Sequence, residues 1–339
     1  MPKKIISKRG KSIALEPDQI LDQTLRPQVF GEFIGQEKIK ENLKVMIGAA
    51  KSRKEPLEHI LIYGPSGLGK TTLANIISRE AGNNIKITSG AALEKAGDIA
   101  AILTNLQEGD TFFIDEVHRL NKLIEEVLYP AMESFKLDIV IGKGPSAKTI
   151  QIGLPRFTLI AATTRIALLS SPFRSRFGVN YRLDFYKEED IEKIIDRSAK
   201  ILNIKIEAEA RKILARASRS TPRIANKLLK RSRDFAQFKG SNLVGPELAK
   251  ETLKMLDIDE LGLEATDRKI LKLIIEGFSG GPVGIKTIAA SLAEEEETIE
   301  DVFEPYLMQI GFLARTPKGR IATPSAFQHL KTGRQTQII

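Results

Sequence analysis

The first half of the chain switches repeatedly between two hydrophobic periods. Ile39, Leu43, Met46, Ile47 and Ala50 recur at helical spacing and predict a helix over Glu37–Arg53. Ile60 to Tyr63 is an unbroken apolar run stopped by Gly64 and Pro65, the pattern of a short strand buried on both faces. Helical spacing returns from Lys70 to Ala81 through Leu73, Ile76 and Ile77. Ile85–Thr88, Thr111–Asp115 and Phe157–Ala162 are further predicted strands, and Asn121–Ser134 is a helix between two of them. Strands alternating with helices imply a parallel sheet covered on both faces. The predicted fold class is therefore α/β, with this domain spanning residues 25–185.

Near Tyr186 the pattern changes. Lys187–Leu202, Glu207–Arg219, Pro222–Phe238 and Gly245–Leu256 carry helical periodicity, with breaks at Asn203, Thr221-Pro222 and Gly240. A small all-helical domain over residues 186–255 follows. Asp267–Gly277, Gly284–Ala293 and Thr298–Ile310 predict three short helices, and Phe312–Thr323 reads as two strands around a Pro317-Lys318-Gly319 turn. Three helices closed by a hairpin are the makings of a winged helix, assigned to residues 256–334. Residues 1–24 have no sustained period and are expected to be a flexible basic tail, and residues 335–339 a second short tail.

At 339 residues, 42% hydrophobic and 28% charged, the chain has the composition of an ordinary globular protein of two or three domains. No run approaches the roughly 20 apolar residues that span a bilayer. Met1–Lys11 is basic but lacks the apolar core of a secretory signal, so a cytoplasmic protein with no membrane contact is expected. Cysteine is absent, which excludes disulfides and thiolate metal sites. The net charge is +9, unevenly spread. Lys200 to Lys239 holds 12 basic residues against three acidic ones, and Pro305 to Ile339 holds five basic residues and no acid. The second run favours a polyanionic partner, because a neutral working surface seldom lacks acids altogether.

The chemistry gathers at the strand ends. Gly64-Pro65-Ser66-Gly67-Leu68-Gly69-Lys70-Thr71, followed by Thr72, fits G-x-x-x-x-G-K-[ST] and lies between a strand and a helix. Glycines there let successive backbone N–H groups curl around a phosphate, the lysine supplies a point charge, and the Thr71 hydroxyl can ligate Mg²⁺. Thr111–Asp115 delivers Asp115 and Glu116 at the carboxyl end of a strand, where ligands of parallel sheets bind. Asp115 would orient the magnesium's water shell, and Glu116 would polarise an attacking water. Together the two motifs argue for ATP hydrolysis and not for nucleotide binding alone. Thr163-Thr164-Arg165 follows the next strand, where a threonine serves equally well as a helix cap or a γ-phosphate contact. Arg174 and Arg176 lie between Phe173 and Phe177, and Arg223 opens a helix. Alone, each arginine is as well explained by solvation or a surface ion pair.

In order and spacing, Gly64–Thr71, Asp115-Glu116, Thr164, Arg176 and Arg223 resemble the AAA+ ATPases. Leu25-Arg26-Pro27, Phe33–Gln36, Glu55–His59, Asp115–Leu120, Leu128–Glu133, Asp138–Gly142, Ala162–Arg165, Arg233–Ala236, Asp259–Leu263, Gly280–Gly284, Glu304–Leu307 and Arg315–Arg320 resemble the bacterial RuvB family of Holliday-junction branch-migration motors. That resemblance implies an AAA+ P-loop domain, a small helical lid and a C-terminal winged helix. It implies Thr164 as sensor 1, Arg176 as an arginine finger reaching a neighbouring subunit, and Arg223 as sensor 2. Phe33, Ile34 and Tyr186 would pack near adenine. Asp138–Ile152 would be a hairpin docking on RuvA, with Ile139, Val140 and Ile141 as apolar contacts. Arg315, Lys318 and Arg320 would hold duplex DNA on or beside the wing. The implied assembly is a homohexamer acting with RuvA, and with RuvC as resolvase. Ser66 departs from the family, where a second proline is usual. Proline makes no hydrogen bond to phosphate, so little functional cost is expected.

Two other classes share parts of this pattern. A replication initiator or DNA-binding regulator would read sequence through the winged helix, and clamp loaders and unfoldases share the ATPase core. An unfoldase needs an aromatic pore loop between the two phosphate motifs, and residues 89–110 contain no Phe, Tyr or Trp.

Overall fold

The computed structural model describes residues 22–141 and 148–330, together with an antiparallel pair of two-residue strands, Ile5–Ile6 and Ser12–Ile13. The first domain runs α1 (Glu37–Arg53), β1 (Ile60–Tyr63), α2 (Lys70–Ala81), β2 (Ile85–Ser89), α3 (Ala96–Leu103), β3 (Thr111–Asp115) and α4 (Lys122–Ser134). The hairpin of β4 (Lys136–Ile141) and β5 (Lys148–Gly153) follows, then β6 (Thr158–Thr163) and β7 (Val179–Arg182). Strands β1, β2, β3, β6 and β7 form one parallel sheet in the order β2-β3-β6-β1-β7.

Alternate residues of the central strands enter different cores, which explains their unbroken apolar runs. Ile60, Ile62, Phe113, Ile160 and Ala162 pack on one side with α1 and α2. Leu61, Phe112, Ile114, Leu159 and Ala161 pack on the other with α3 and α4. The register sets Tyr63 beside Thr163 and Ile114 beside Ala161, so the carboxyl ends of β1, β3 and β6 form one edge. The fifth strand, β7, was not legible in the sequence. Asn180 and Arg182 interrupt its apolar positions because one face of this edge strand is exposed, so its side chains alternate between half-buried and solvated.

The lid contains α5 (Glu188–Ile201), α6 (Ala208–Arg216), α7 (Pro222–Phe238) and α8 (Pro246–Met255). The last domain has α9 (Ala265–Lys272), α10 (Ile285–Leu292) and α11 (Glu304–Gln309), closed by the antiparallel strands β8 (Leu313–Thr316) and β9 (Gly319–Ala322). It has its own core around Leu271, Ile274, Leu307 and Ala326. The helix expected over Thr298–Ile310 widens into a π turn at Ile299–Phe303 before α11. Pro305, at the start of α11, has no amide hydrogen with which to continue a regular α ladder.

Lid and winged helix are fastened by a buried ion pair. Arg219 Nη1 donates to Asp267 Oδ2 at 2.8 Å, and Nη2 donates to Oδ1 and to the Val302 carbonyl. The same guanidinium lies 4.7 Å over the Tyr306 ring. Burial pushes the Asp267 carboxyl up despite Arg219, so the joint combines charge, packing and dehydration.

One expectation changes here. Residues 22–24, assigned to the flexible tail, belong instead to a helical turn over residues 22–25, where Asp22 accepts a 2.6 Å bond from Lys230 of α7. Much of the basic run from Lys200 to Lys239 is neutralised within the fold. Arg211, Lys212, Arg216, Arg219, Lys230, Arg231, Arg233 and Lys239 each pair with an acid, several drawn from outside the run.

Candidate active site

A cavity of about 500 Å³ opens where the sheet edge meets the lid. Its wall holds Gly67, Leu68, Gly69, Lys70, Thr71 and Thr72 from the phosphate loop, with Asp115, Glu116 and Thr164 from the strand ends. Phe33, Ile34 and Tyr186 line its apolar end, and Pro222 and Arg223 close it from the lid. Gly64 and Pro65 stand just behind, offering their carbonyls to Lys70.

The loop is shaped by glycine at two tight points. Gly64, at φ 139°, would drive a Cβ within 2.4 Å of the Leu183 carbonyl oxygen. Gly67, at φ 83°, lies directly under the lid, where a Cβ would meet that of Arg223 at 3.3 Å. Tyr186 is buried and donates its hydroxyl to the Leu68 carbonyl, tying the loop to the start of the lid.

Lys70 folds back on the loop, donating to the carbonyls of Gly64 and Pro65 at 2.8 Å each. Burial lowers its pKa to about 8, with Asp115 opposing and Arg223 reinforcing the shift. A triphosphate needs the protonated amine. ATP affinity is therefore expected to hold below pH 8 and to fall as the pH rises through 8 toward 10. In the free protein the same depressed value makes the fold gain stability as pH rises from about 8 to 10.5, since the unfolded lysine keeps its proton longer. Calorimetric titration at pH 7, 8 and 9 checks the first, with proton uptake on binding above pH 8. An affinity unchanged across this range would contradict it.

Thr71 Oγ1 donates to Asp115 Oδ2 at 2.7 Å, so the two candidate magnesium ligands stand side by side. Glu116 follows in the left-handed region at φ 48°, its carboxylate exposed and 3.3 Å from Arg119. Of the paired threonines, Thr164 lines the cavity. Thr163 is buried, and its hydroxyl pairs with His118 Nδ1 and accepts from the Arg165 amide, both at 2.9 Å. Arg223 Nη1 donates to Ser66 Oγ at 3.1 Å, so the serine in the phosphate loop has a partner that proline could not provide.

Arg176 does not face this cavity. It stacks 4.2 Å over Tyr129, pairs with Glu133 at 3.0 Å and donates to the Pro172 carbonyl. Arg174 stands on the same short segment, in the helix Ser171–Arg174. On the wing, Lys318 is exposed at the turn. Arg315 is half-exposed with Nη2 2.7 Å from Glu304. Arg320 is placed differently from a free phosphate ligand: it is 9% exposed and clamped between Glu300 and Glu304. The two arginines together hold the Glu304 carboxyl below its ordinary range against the opposing effect of burial. The backbone of β4 and β5 pairs in register as a hairpin, whereas the side chains of Ile139, Val140 and Ile141 lie outside the described residues.

Sequence reasoning missed the far wall of the cavity. Lys230 is buried there against Asp22, and Arg197 donates to the Leu25 carbonyl and to Glu32. The helical spacing of Arg223, Lys227 and Lys230 on α7 was a usable signal, since it places all three on the cavity side.

A phosphate loop that meets its lid at an arginine and a tyrosine, above paired acids on a parallel sheet, defines an AAA+ P-loop ATPase, an enzyme that hydrolyses ATP. Residues 25–183 match the Holliday junction DNA helicase RuvB P-loop domain, residues 186–259 the RuvB AAA lid domain, and residues 260–331 the RuvB C-terminal winged helix domain. The chain is 56% identical over 313 residues to the Holliday junction branch migration complex subunit RuvB of Chloroflexus aurantiacus, covering 92% of this chain and 89% of that protein. The solved structure of the Thermotoga maritima RuvB Holliday junction branch migration motor superposes with a TM-score of 0.85 at 50% identity, covering 93% of this chain and 100% of that one. A point variant of that protein gives a TM-score of 0.85 at 49% identity, with 92% and 99% covered. The chain belongs to the RuvB family.

Proposed function

We propose that this chain is the ATPase of Holliday-junction branch migration, a ring-forming motor that moves duplex DNA in partnership with RuvA and, at resolution, RuvC. One observation carries the reading: a full hydrolytic set opens toward a lid that is itself bolted to a winged helix through Arg219 and Asp267. A change in lid angle at the nucleotide therefore becomes a displacement of the DNA-binding domain.

Lys70 and the loop amides grip the β- and γ-phosphates, Arg223 reaches the phosphates from the lid, and Phe33, Ile34 and Tyr186 enclose the base. The Thr71 hydroxyl and Asp115 carboxylate are hard oxygen donors suited to Mg²⁺, which when bound neutralises phosphate charge. Glu116 orients and deprotonates the attacking water, and Thr164 positions the γ-phosphate. Arg176, turned away from its own cavity, completes the site of the next subunit in a hexameric ring. Within its own subunit it is held by a 3.0 Å pairing with Glu133. The hairpin Asp138–Ile152 docks on RuvA. On the wing, Lys318 and Arg315 make the phosphate contacts, and Arg320 sets the β8–β9 hairpin that presents them.

A motor indifferent to sequence holds phosphates and not base edges. Duplex affinity should accordingly fall with salt at a log–log slope of about −0.9 per neutralised phosphate, equally for unrelated sequences. Binding to a four-way junction, measured with and without RuvA against random duplex, is expected to tighten only with RuvA present. Strong preference for one duplex sequence would instead indicate an initiator or regulator.

A further inference from the structure

Arg165 stands between the nucleotide site and the winged helix. Its Nε donates to Asp301 Oδ1 at 2.7 Å, and its guanidinium reaches the Glu297 carboxylate at 3.5 Å and the Glu297 carbonyl at 3.4 Å. Both acids belong to the winged-helix domain, more than 130 residues along the chain. The arginine side chain is 18% exposed and Asp301 34%, so water screens this pair less than a surface bridge. In the other direction, the Arg165 amide donates to Thr163, whose hydroxyl pairs with His118. His118 lies two residues after Glu116, and Thr164 is the immediate neighbour of Arg165. One continuous set of bonds thus joins the DNA-binding domain to the loop carrying the general base and to the γ-phosphate threonine.

We infer that Arg165 is a positioning residue through which the winged-helix domain, by way of Asp301 and Glu297, sets the placement of Thr164 and the Glu116 loop. The inference rests on the reading of the winged helix as the DNA-binding element and deepens it. The lid is not the sole link between DNA and nucleotide, because the winged helix also touches the catalytic edge of the sheet directly. Movement of the winged helix relative to the ATPase domain must stretch or break the Arg165–Asp301 bond, and Thr164 is the next residue along the strand end. The effect belongs in turnover and not in nucleotide capture, since Arg165 is absent from the cavity wall.

The test is a double-mutant cycle in the full chain, with steady-state ATPase measured with and without duplex DNA. Arg165→Asp and Asp301→Arg are each expected to lower kcat by about three- to tenfold with KM for ATP within about twofold, and the double exchange to recover most of the loss. Arg165→Gln should lower kcat similarly without introducing repulsion. Thermal unfolding of each variant separates positioning from loss of fold, because a merely structural pair lowers the midpoint without the recovery in kcat. Losses that simply add in the double variant, or that fall on KM, overturn the inference. A wild-type chain whose turnover ignores duplex DNA would count against the motor reading instead, and the cycle then stands on the DNA-free kcat.

Discussion

Arg176→Ala is expected to lower ATP turnover by about 10³- to 10⁵-fold, the effect of removing an arginine from a transferring phosphoryl group. Nucleotide affinity should stay near the parent value, because Arg176 does not line the cavity of its own subunit. The geometry also defines what the substitution leaves behind. Arg176 rests on Tyr129 and pairs with Glu133, with its Nε buried and unpartnered, so the guanidinium is stored at some cost. Removing it should leave the fold intact. Arg176→Lys should rescue little, because a single ammonium cannot reproduce a planar fork against phosphate oxygens. Single-turnover hydrolysis alongside binding of a fluorescent nucleotide separates the two quantities. A variant that loses binding and hydrolysis together would place Arg176 in its own subunit's site.

Lys70→Ala is expected to act differently. Loss of the only lysine of the phosphate loop should remove detectable turnover, at least about a thousandfold, and weaken ATP binding as well. The fold should tolerate the change, and the free protein should become slightly more stable near neutral pH. The depressed pKa shows that burying this cation is unfavourable when no phosphate is present. The pH dependence of ATP affinity described above should vanish in this variant. An alanine variant that retained the fall in affinity above pH 8 would assign the titration to another group.

Much of the nucleotide site was legible because its chemistry is local. Backbone amides that encircle a phosphate must come from consecutive residues, so Gly64–Thr71 declares itself at fixed spacing. Asp115 is legible for a similar reason, since an apolar strand of four residues before a pair of acids has few other uses. Elements that depend on distant partners were harder. Strand β7 alternates with Asn180 and Arg182 because one of its faces is exposed, which gives no continuous apolar run. Asp22 reads as part of a featureless tail until Lys230, 208 residues away, comes to meet it. Arg320 looks like a free cation beside Lys318, and only the packing of α11 against the wing reveals Glu304 beneath it. Counting charges along the basic stretch from Lys200 to Lys239 likewise leaves out the acids supplied by other helices. Thr163 and Thr164 look alike in sequence, yet the alternation of side chains at a strand end buries one and turns the other into the cavity.

Arg165, Arg219 and Arg223 divide the work of connecting domains. Arg223 links lid to phosphate loop through Ser66, Arg219 links lid to winged helix, and Arg165 closes the circuit back to the sheet edge. Only Arg223 of the three lines the cavity; the other two tie the winged helix to the elements around it. Their exposures differ in the order expected of their tasks: the rigid joint at Arg219 is the driest, and the contact at Ser66 the wettest.

Sharing of the active site between neighbouring subunits is what a mixture of two inactive variants tests. Lys70→Ala and Arg176→Ala proteins, each inactive alone, should be mixed and their ATPase measured with RuvA and a four-way junction. About a quarter of the interfaces in randomly mixed rings would then hold an intact lysine facing an intact arginine. Recovered turnover of that order is the predicted result. Turnover no higher than that of either variant alone would contradict it.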